Sequence, residues 1–383
     1  MQRGLTTDFK VAAHEITVLL DSRLADFSPP LATDHIVQVS QSESSAKIMA
    51  EVAREMDAVF IVAPEANQTL KKLVELVEAA SLCSLNSSPA AIDQAADKTT
   101  LPIRLKSLGL KGPKTLTFAT NEPVEYVART VKTEFGFPSI FKPSNGAGCS
   151  AMSIVQSEAE VFQAIEKIKM ESSDKVIVQE FIEGASSSVS LIVADNKALP
   201  ITLNLQDITL AHPEGVSSYN GGLVPFEHPL KDEAFEAAKR ISESFGGLRG
   251  YVGVDLVLAE DQVFVVEVNP RLTTSYVGLR RVADFNIAEA ITDAATKKAL
   301  PESSHPIGVS CFSKVPVSRP VIFAWQEFLQ MEELTSPPFP VPNEETCYAM
   351  LQSYGDTTEN ALRNLSEAKK HLQDVWLRGQ HPW

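Results

Sequence analysis

Residues 250–271 read GYVGVDLVLAEDQVFVVEVNPR, and this stretch decides the fold. Two apolar runs rich in β-branched residues, 252–258 and 263–268, flank a short polar turn, which is the pattern of a β-hairpin. Successive side chains of a strand point to opposite faces, so Glu267 and Asn269 lie on the same face of the second strand. The hairpin therefore predicts a sheet that carries acid and amide groups on one face.

The turn decides whether Asp255, on the first strand, joins Glu267. A three-residue turn at 260–262 would set the two residues directly opposite each other, whereas a two-residue turn would set Asp255 opposite Val266. Two facing carboxylates repel unless a cation or a proton lies between them, and such oxygen ligands suit Mg²⁺ or Mn²⁺. The competing interpretation is a pair of solvated acids, but the Asn and the nearby Arg271 guanidinium favour a metal site beside an anionic group.

Two lysines are candidates for binding phosphate. Lys142 ends an apolar strand and precedes the glycine-rich loop 146–151, whose backbone N–H groups could close on phosphate oxygens. This loop also fits the dinucleotide pattern G-x-G-x-x-A, but the β-branched segment 152–155 indicates a returning strand and not the helix that a Rossmann site requires. Lys98, taken alone, is most simply a solvated lysine at a domain boundary.

The apolar segment 176–182 forms a predicted strand that ends at Glu180 and Ile182. An acidic residue at a strand end, with the backbone free as it leaves the sheet, can hydrogen-bond the edge of an adenine ring. On this segment alone, an ordinary strand end before the turn at Gly184 is the preferred interpretation.

The amino-acid composition argues against some classes of binding partner. The chain of 383 residues has 34 Lys and Arg against 49 Asp and Glu, a net charge of −15. This charge argues against nucleic acid or an anionic membrane as a partner, so a phosphate site must consist of a few isolated cations. The four cysteines are far apart and form no C-x-x-C pair, which predicts a reducing, cytoplasmic compartment. No apolar run reaches the roughly 18 residues that span a bilayer.

The chain divides into three predicted units: 1–97, 98–300 and 301–383. In the first unit, strand-like and helix-like stretches alternate, which predicts parallel βαβ units and the α/β class. The second unit contains the hairpin and the lysine motif. The third unit is a tail of two strands and a final helix.

In this order, the pieces resemble the ATP-grasp superfamily of carboxylate–amine ligases. The motifs that carry the resemblance are Asp97-Lys98, the Lys142 strand with its loop, Gln179–Gly184, Gly253–Val257 and Glu267–Arg271. The resemblance implies an N-terminal parallel α/β domain, two lobes with antiparallel sheets that clamp ATP, and a small C-terminal lobe. More narrowly, residues 250–257, 269–278 and 61–65 resemble the tyramine–L-glutamate ligases of methanofuran biosynthesis, whose relatives in methylotrophs use tyrosine.

The resemblance also implies a role for each matching residue. The residues that would contact ATP are Lys98, Lys142, Gly146, Gly148, Ser150, Glu180 and the backbone of Ile182. The residues that would hold Mg²⁺ or Mn²⁺, two ions in all, are Asp255, Glu267 and Asn269. Arg271 would stabilise the phosphoryl group in flight. The candidates for contact with substrate are Thr273, Ser275 and Tyr276.

The implied reaction activates a carboxylate, that of glutamate, as an acyl phosphate and couples it to the amine of tyramine or tyrosine, with release of ADP and phosphate. Its partners would be these small molecules, with no nucleic acid or membrane, and a homodimer stays open. The alternatives are a bicarbonate-using enzyme of the biotin-carboxylase or carbamoyl-phosphate type, a module that binds nucleotide without turnover and, last, a dehydrogenase. Two stretches depart from the superfamily pattern: residues 185–189, where many members carry a charged residue, and the segment before His14, where the expected first strand is not evident. For these reasons neither residues 185–189 nor Glu65 receives a role.

Overall fold

The computed structural model describes residues 1–25, 31–146, 148–171, 173–318, 325–338 and 346–379. The α-helices in these residues are α1 (Gln2–Val11), α2 (Ser45–Ala53), α3 (Thr69–Ala79), α4 (Pro89–Ala96), α5 (Leu101–Ser107), α6 (Val124–Glu134), α7 (Val161–Met170), α8 (Lys231–Glu243), α9 (Tyr276–Val282), α10 (Ile287–Thr296), α11 (Trp325–Gln330) and α12 (Thr358–Gly379). The strands are β1 (Thr17–Asp21), β2 (His35–Val39), β3 (Ala58–Val59), β4 (Cys83–Ser84), β5 (Thr115–Ala119), β6 (Ser139–Pro143), β7 (Ser153–Val155), β8 (Lys175–Glu180), β9 (Ala185–Ala194), β10 (Lys197–Thr209), β11 (Ser218–Val224), β12 (Gly250–Ala259), β13 (Gln262–Asn269), β14 (Val309–Ser318), β15 (Leu334–Ser336) and β16 (Thr346–Gly355). In the described residues, no helix is long and apolar enough to cross a membrane.

The N-terminal unit has the predicted parallel pairing. Strand β1 pairs in parallel with β2, and β3 pairs in parallel with β4. Helix α3 places Leu70, Val74 and Val77 on one buried face at helical spacing, and this face packs against Met49 of α2 and Ile61. Full burial of each such side chain contributes about 1.5–3 kcal/mol, so this face anchors the unit.

A small sheet follows, with strand order β5-β8-β6-β7 and antiparallel pairing throughout. Helices α6 and α7 cover one face, where Val127, Val131, Ile165 and Ile168 bury against Phe141. Strand β7 returns along β6, as the β-branched segment after the glycine loop predicts. The glycines therefore join two strands and do not begin a helix, which excludes the Rossmann interpretation of this loop.

The large sheet has the order β13-β12-β9-β10-β11-β14-β16-β15 and is also antiparallel. Helix α8 buries Ala234, Ala238 and Ile241 against one face, and α10 buries Ile287 and Ile291 against the other. The segment after residue 300 supplies β14, β15 and β16, which continue this sheet from β11. The C-terminal unit is thus an extension of the central sheet.

The hairpin of β12 and β13 has the predicted residue pairing for a different reason. Its turn has two residues, since Ala259 pairs with Gln262, and this turn alone would set Asp255 opposite Val266. A β-bulge then shifts the register between Leu256, which pairs with Val265, and Asp255, which pairs with Glu267. The extra residue bends the strand and returns the two carboxylates to opposite positions.

Candidate active site

A cavity of about 310 Å³ lies between the small and the large sheet, with walls from β6, β8, β10, β12 and β13. Thirteen of the fourteen predicted site residues line it: Lys98, Lys142, Gly146, Gly148, Ser150, Glu180, Ile182, Asp255, Glu267, Asn269, Arg271, Thr273 and Ser275. Motifs that are up to 177 residues apart, from 98 to 275, therefore meet at one place.

The two facing carboxylates have different surroundings. Asp255 accepts hydrogen bonds from Gln206 Nε2 at 3.0 Å and Asn269 Nδ2 at 2.9 Å, and no Lys or Arg in the described part of the chain pairs with it. Burial, with the nearby charge of Glu267, raises the pKa of Asp255 to about 6. Burial would also raise the pKa of Glu267, but the charges of Lys98 and Lys142 outweigh it and hold that pKa below its usual value.

This donor set fits a hard divalent cation. Two carboxylates and the Asn269 amide supply only oxygen ligands, the type that Mg²⁺ and Mn²⁺ prefer. Asp255 is the carboxylate of the two that has no ion pair within the described residues. The described residues contain no cluster of three or more His, Cys, Asp or Glu that could hold a metal by itself. A bound ion would therefore need further oxygens from a substrate phosphate.

Both lysines point into this region. Lys98 is only 9% exposed; its Nζ lies 3.3 Å from Glu267 Oε1 and donates to the Gly146 carbonyl at 2.6 Å. The interpretation of Lys98 as a solvated boundary lysine is therefore wrong. Lys142 is buried, and burial together with the charge of Lys98 lowers its pKa to about 8, although Glu267 and Asp255 partly offset the shift. Two close cations in a partly buried site form a binding surface for an anion.

The loop between β6 and β7 turns sharply above the lysines. Gly148, Cys149 and Ala151 have φ values of +64°, +67° and +48°, and residue 147 lies outside the described residues. At Gly146 a Cβ would lie 2.5 Å from Pro143 Cγ, so the turn has no room for a side chain there. The loop keeps its backbone close to the lysines, where N–H groups can face phosphate oxygens.

Part of the cavity wall is apolar. Pro113, Ile140 and Leu256 line it beside Glu180 and Ile182. The Glu180 carboxylate is already engaged, because its Oε1 accepts from the backbone N–H of Lys114 at 2.8 Å. These apolar side chains therefore suit a flat ring, with the backbone of Ile182 close by.

Arg271 connects the cavity to the N-terminal unit. Its Nε donates to Glu65 Oε2 at 2.6 Å, and both side chains are largely buried, at 19% and 12% exposed. The neighbouring Asn67 has a left-handed backbone and accepts a hydrogen bond from Asn145 of the glycine loop at 3.5 Å. Glu65, which receives no role from the sequence, thus orients the predicted catalytic arginine.

Thr273 and Ser275 also line the cavity. Thr273 Oγ1 lies 2.8 Å from the Tyr251 hydroxyl, and Ser275 Oγ lies 3.4 Å from Ser188 Oγ. Thr273 packs closely against the backbone of Gly253. A side chain at Gly253 would leave no room for it, because a Cβ would lie 2.4 Å from Thr273 Cγ2. Both hydroxyls are therefore fixed by a buried polar network before a ligand arrives.

Tyr276 lies elsewhere, which corrects its prediction as a substrate contact. It is the first residue of α9 and is fully buried, with its ring edge-on to Tyr251. Its hydroxyl donates to Asp8, which also pairs with Arg280. A buried tyrosine needs a partner for its hydroxyl, and here α1 supplies that partner.

Two further cavity residues, Gln206 on β10 and Tyr219 on β11, belong to no motif. Gln206 donates to Asp255, and Tyr219 lines the same space. Their position depends on the strand order, in which β9 separates β10 from β12. A sequence pattern carries no signal for such a neighbour.

Comparison with known families agrees with this geometry. Residues 95–275 match the model of the ATP-grasp domain, and residues 14–92 match that of the pre ATP-grasp 3 domain. The chain belongs to the ATP-grasp superfamily. The predicted resemblance is thereby confirmed, and with it the fold class.

Two curated relatives of this ATP-grasp protein are named as ligases. It is 28% identical over 287 residues to the tyramine–L-glutamate ligase of Methanocaldococcus fervens, covering 74% of this chain and 82% of the relative. It is 29% identical over 245 residues to that of Methanocaldococcus jannaschii, covering 64% of this chain and 65% of the relative. These relatives confirm the predicted enzyme class, an ATP-dependent carboxylate–amine ligase.

Solved structures share the ATP-grasp fold along nearly the whole chain. Biotin carboxylase from Campylobacter jejuni superposes with a TM-score of 0.76 at 16% identity, covering 99% of this chain and 92% of that one. L-amino acid ligase from Bacillus licheniformis superposes with a TM-score of 0.67 at 15% identity, covering 97% and 94%. At these identities the likeness concerns the fold alone.

Proposed function

We propose that this ATP-grasp ligase activates the carboxylate of L-glutamate and joins it to the amine of tyramine or tyrosine. The observation that carries the proposal is the meeting of Asp255 and Glu267 with Lys98, Lys142 and Arg271 in one cavity. The choice of substrates rests on the relatives named tyramine–L-glutamate ligase. Such an amide would be an intermediate of a methanofuran-type cofactor of one-carbon metabolism.

The first step would form an acyl phosphate. A carboxylate oxygen attacks the γ-phosphorus of ATP, the bond to the β–γ bridging oxygen breaks, and ADP leaves. Lys98 and Lys142 would hold the phosphates, and Arg271 would face the oxygens of the transferring group. Asp255, Glu267 and Asn269 would hold Mg²⁺ or Mn²⁺, two ions in our proposal, and the bound metal supplies positive charge to the phosphates.

The second step would form the amide. The neutral amine attacks the acyl carbon, the bond from this carbon to the phosphate oxygen breaks, and phosphate leaves with the pair of electrons. The amine proton passes to solvent or to a nearby base. The loop at 146–150 would cover the site, since water would otherwise hydrolyse the acyl phosphate.

The alternatives receive less support. Likeness to biotin carboxylase is a likeness of fold at 16% identity and carries no argument for bicarbonate. A module that only binds nucleotide would not need two facing carboxylates beside a fixed arginine. A homodimer stays a prediction, which sedimentation of the purified protein measures.

The test is ADP release by the purified protein with ATP, Mg²⁺, L-glutamate and either tyramine or tyrosine, with the amide identified by mass spectrometry. We expect release that depends on both the acid and the amine. Bicarbonate in place of glutamate is the parallel control, and release that requires bicarbonate would favour the alternative enzyme. If no amine increases the release of ADP, the proposal is wrong.

A further inference from the structure

The hydroxyl of Tyr219 is a buried group without a hydrogen-bond partner in the part of the chain that the structure describes. The side chain of Ser275 is near enough to act on its pKa, but it does not reach hydrogen-bonding geometry. Four other buried side-chain atoms in the described residues share this property: Glu65 Oε1, Ser139 Oγ, Ser242 Oγ and Ser304 Oγ. Among these residues, Tyr219 is the one that lines the cavity.

The ring of Tyr219 is held firmly. It stands near the start of β11, opposite Ile208, just past an irregularity in the pairing of β10 and β11. It stacks on Phe312 of β14, with ring centroids 6.4 Å apart and ring planes at 25°, and Phe312 is itself 2% exposed. The direction of the hydroxyl is therefore set by packing, before any ligand enters.

A buried polar group without a partner costs free energy, and native proteins keep few of them. A firmly packed hydroxyl on a residue that lines a cavity is satisfied when a ligand brings the missing partner. Two neighbouring cavity hydroxyls differ in this respect, because Thr273 is bonded to Tyr251 and Ser275 to Ser188. Tyr219 has a buried donor that is unused.

The residues around the Tyr219 hydroxyl indicate which type of ligand group it would bind. Burial raises the pKa of Tyr219 well above its ordinary value, and the charge of Asp255 adds to this, so the group is a neutral O–H donor. Its partner must be an acceptor oxygen. Asp255 and Glu267 are already engaged by Gln206, Asn269 and Lys98. The remaining acceptor is then an oxygen of a ligand in this cavity, which Lys98, Lys142 and Arg271 also line.

We propose that Tyr219 binds the acid substrate and that its hydroxyl donates to an oxygen of the carboxylate that is phosphorylated. This inference rests on the proposed function and names a residue that determines its acid specificity. The donor would hold the carboxylate on the large-sheet side of the cavity, opposite the phosphates. It would also favour acids over neutral amides, which present a weaker acceptor.

The test compares Tyr219→Phe, which keeps the ring and its stacking on Phe312, with wild type. We expect the KM for L-glutamate to rise about tenfold or more, the factor expected when one hydrogen bond to a charged group is lost. The KM for ATP and that for the amine should stay unchanged. An unchanged KM for glutamate would overturn the proposal.

A second readout needs no substrate. Because the hydroxyl is unsatisfied in the free protein, Tyr219→Phe should leave the thermal midpoint unchanged or raise it. The matched control is Tyr251→Phe, whose hydroxyl lies 2.9 Å from Ser190 Oγ and 2.8 Å from Thr273 Oγ1, and which should lower the midpoint. A midpoint for Tyr219→Phe lowered as far as the control would show a partner in the free protein and overturn the proposal.

The two readouts separate the two claims. Wild-type protein that releases no ADP with glutamate and amine would overturn the proposed function, and the thermal comparison would still judge the hydroxyl. Wild-type protein that does release ADP, with the same glutamate KM in Tyr219→Phe, would overturn the inference alone.

Discussion

The two walls of the cavity have opposite chemistry. The small-sheet wall presents Lys142, the glycine loop and backbone groups near Ile182, whereas the large-sheet wall presents Asp255, Glu267 and hydroxyl groups. Glu267 is held as an anion by Lys98 and Lys142, while Asp255 has only amide donors. The difference indicates where each part of ATP belongs: phosphates against the lysines, and a metal ion between the phosphates and the acids.

The largest effect is expected from removing an acid of the large-sheet wall. Glu267→Gln keeps the size of the side chain but removes the charge that faces Lys98 and Asp255, so kcat should fall about a thousandfold. The steady-state rate of ADP release measures this. Glu260→Gln, in the exposed turn of the same hairpin, is the matched control and should act as wild type. If Glu267→Gln turns over at the wild-type rate, the proposed metal site is wrong.

A second prediction concerns Arg271, which stands where the walls meet the N-terminal unit. Glu65→Ala removes the acceptor of the Nε hydrogen bond, and a guanidinium that is free to move should lower kcat by about 10- to 100-fold. The KM for ATP should stay unchanged, because the lysines do not depend on Glu65. Glu75→Ala, on the exposed face of α3, is the control, and equal loss in both variants would point to general damage of that unit.

A third prediction tests the small-sheet wall through pH. The pKa of Lys142 is about 8, so its charge is lost as the pH rises through that value. The affinity for ATP should therefore be greatest below pH 8 and should decline above it, as measured by the KM for ATP. In Lys142→Arg the cation stays charged, and the decline should disappear. If the affinity for ATP declines equally in both proteins, a group other than Lys142 causes the decline.

The smallest kinetic effect is expected from Tyr276, which lies behind the large-sheet wall. Tyr276→Phe loses the hydrogen bond to Asp8 and should cost about 1–2 kcal/mol of the free energy of unfolding. Its KM and kcat should stay near the wild-type values, in contrast to Tyr219→Phe. Chemical denaturation and the ADP assay measure the two properties, and a raised glutamate KM would return Tyr276 to the substrate contacts.

The two walls also differ in how far the sequence predicts them. The small-sheet residues belong to continuous motifs, so Lys142, its loop and the strand to Glu180 can be read in order. On the large sheet, the sequence allows the pairing of Asp255 with Glu267 only through a three-residue turn, whereas the protein reaches it with a two-residue turn and a bulge. A bulge depends on packing against neighbouring strands, and no turn pattern reveals it.

The remaining site residues depend on tertiary structure. Gln206 and Tyr219 reach the cavity through the order of strands, and Glu65 reaches Arg271 across 206 positions of the chain. Tyr276 follows the hydroxyl residues Thr273 and Ser275 in sequence, but the start of α9 turns it into the core. The prediction for Tyr276 is wrong because α9 begins between Ser275, which lines the cavity, and Tyr276, which lies in the core.

The most direct test of the central claim follows one oxygen atom. L-glutamate labelled with ¹⁸O in its carboxylates is incubated with the protein, ATP, Mg²⁺ and tyramine, and the released phosphate is analysed by mass spectrometry. If the carboxylate attacks the γ-phosphorus and the amine then displaces phosphate, each phosphate released carries one ¹⁸O atom from glutamate. Phosphate that contains no ¹⁸O, released together with amide, would contradict the acyl-phosphate mechanism.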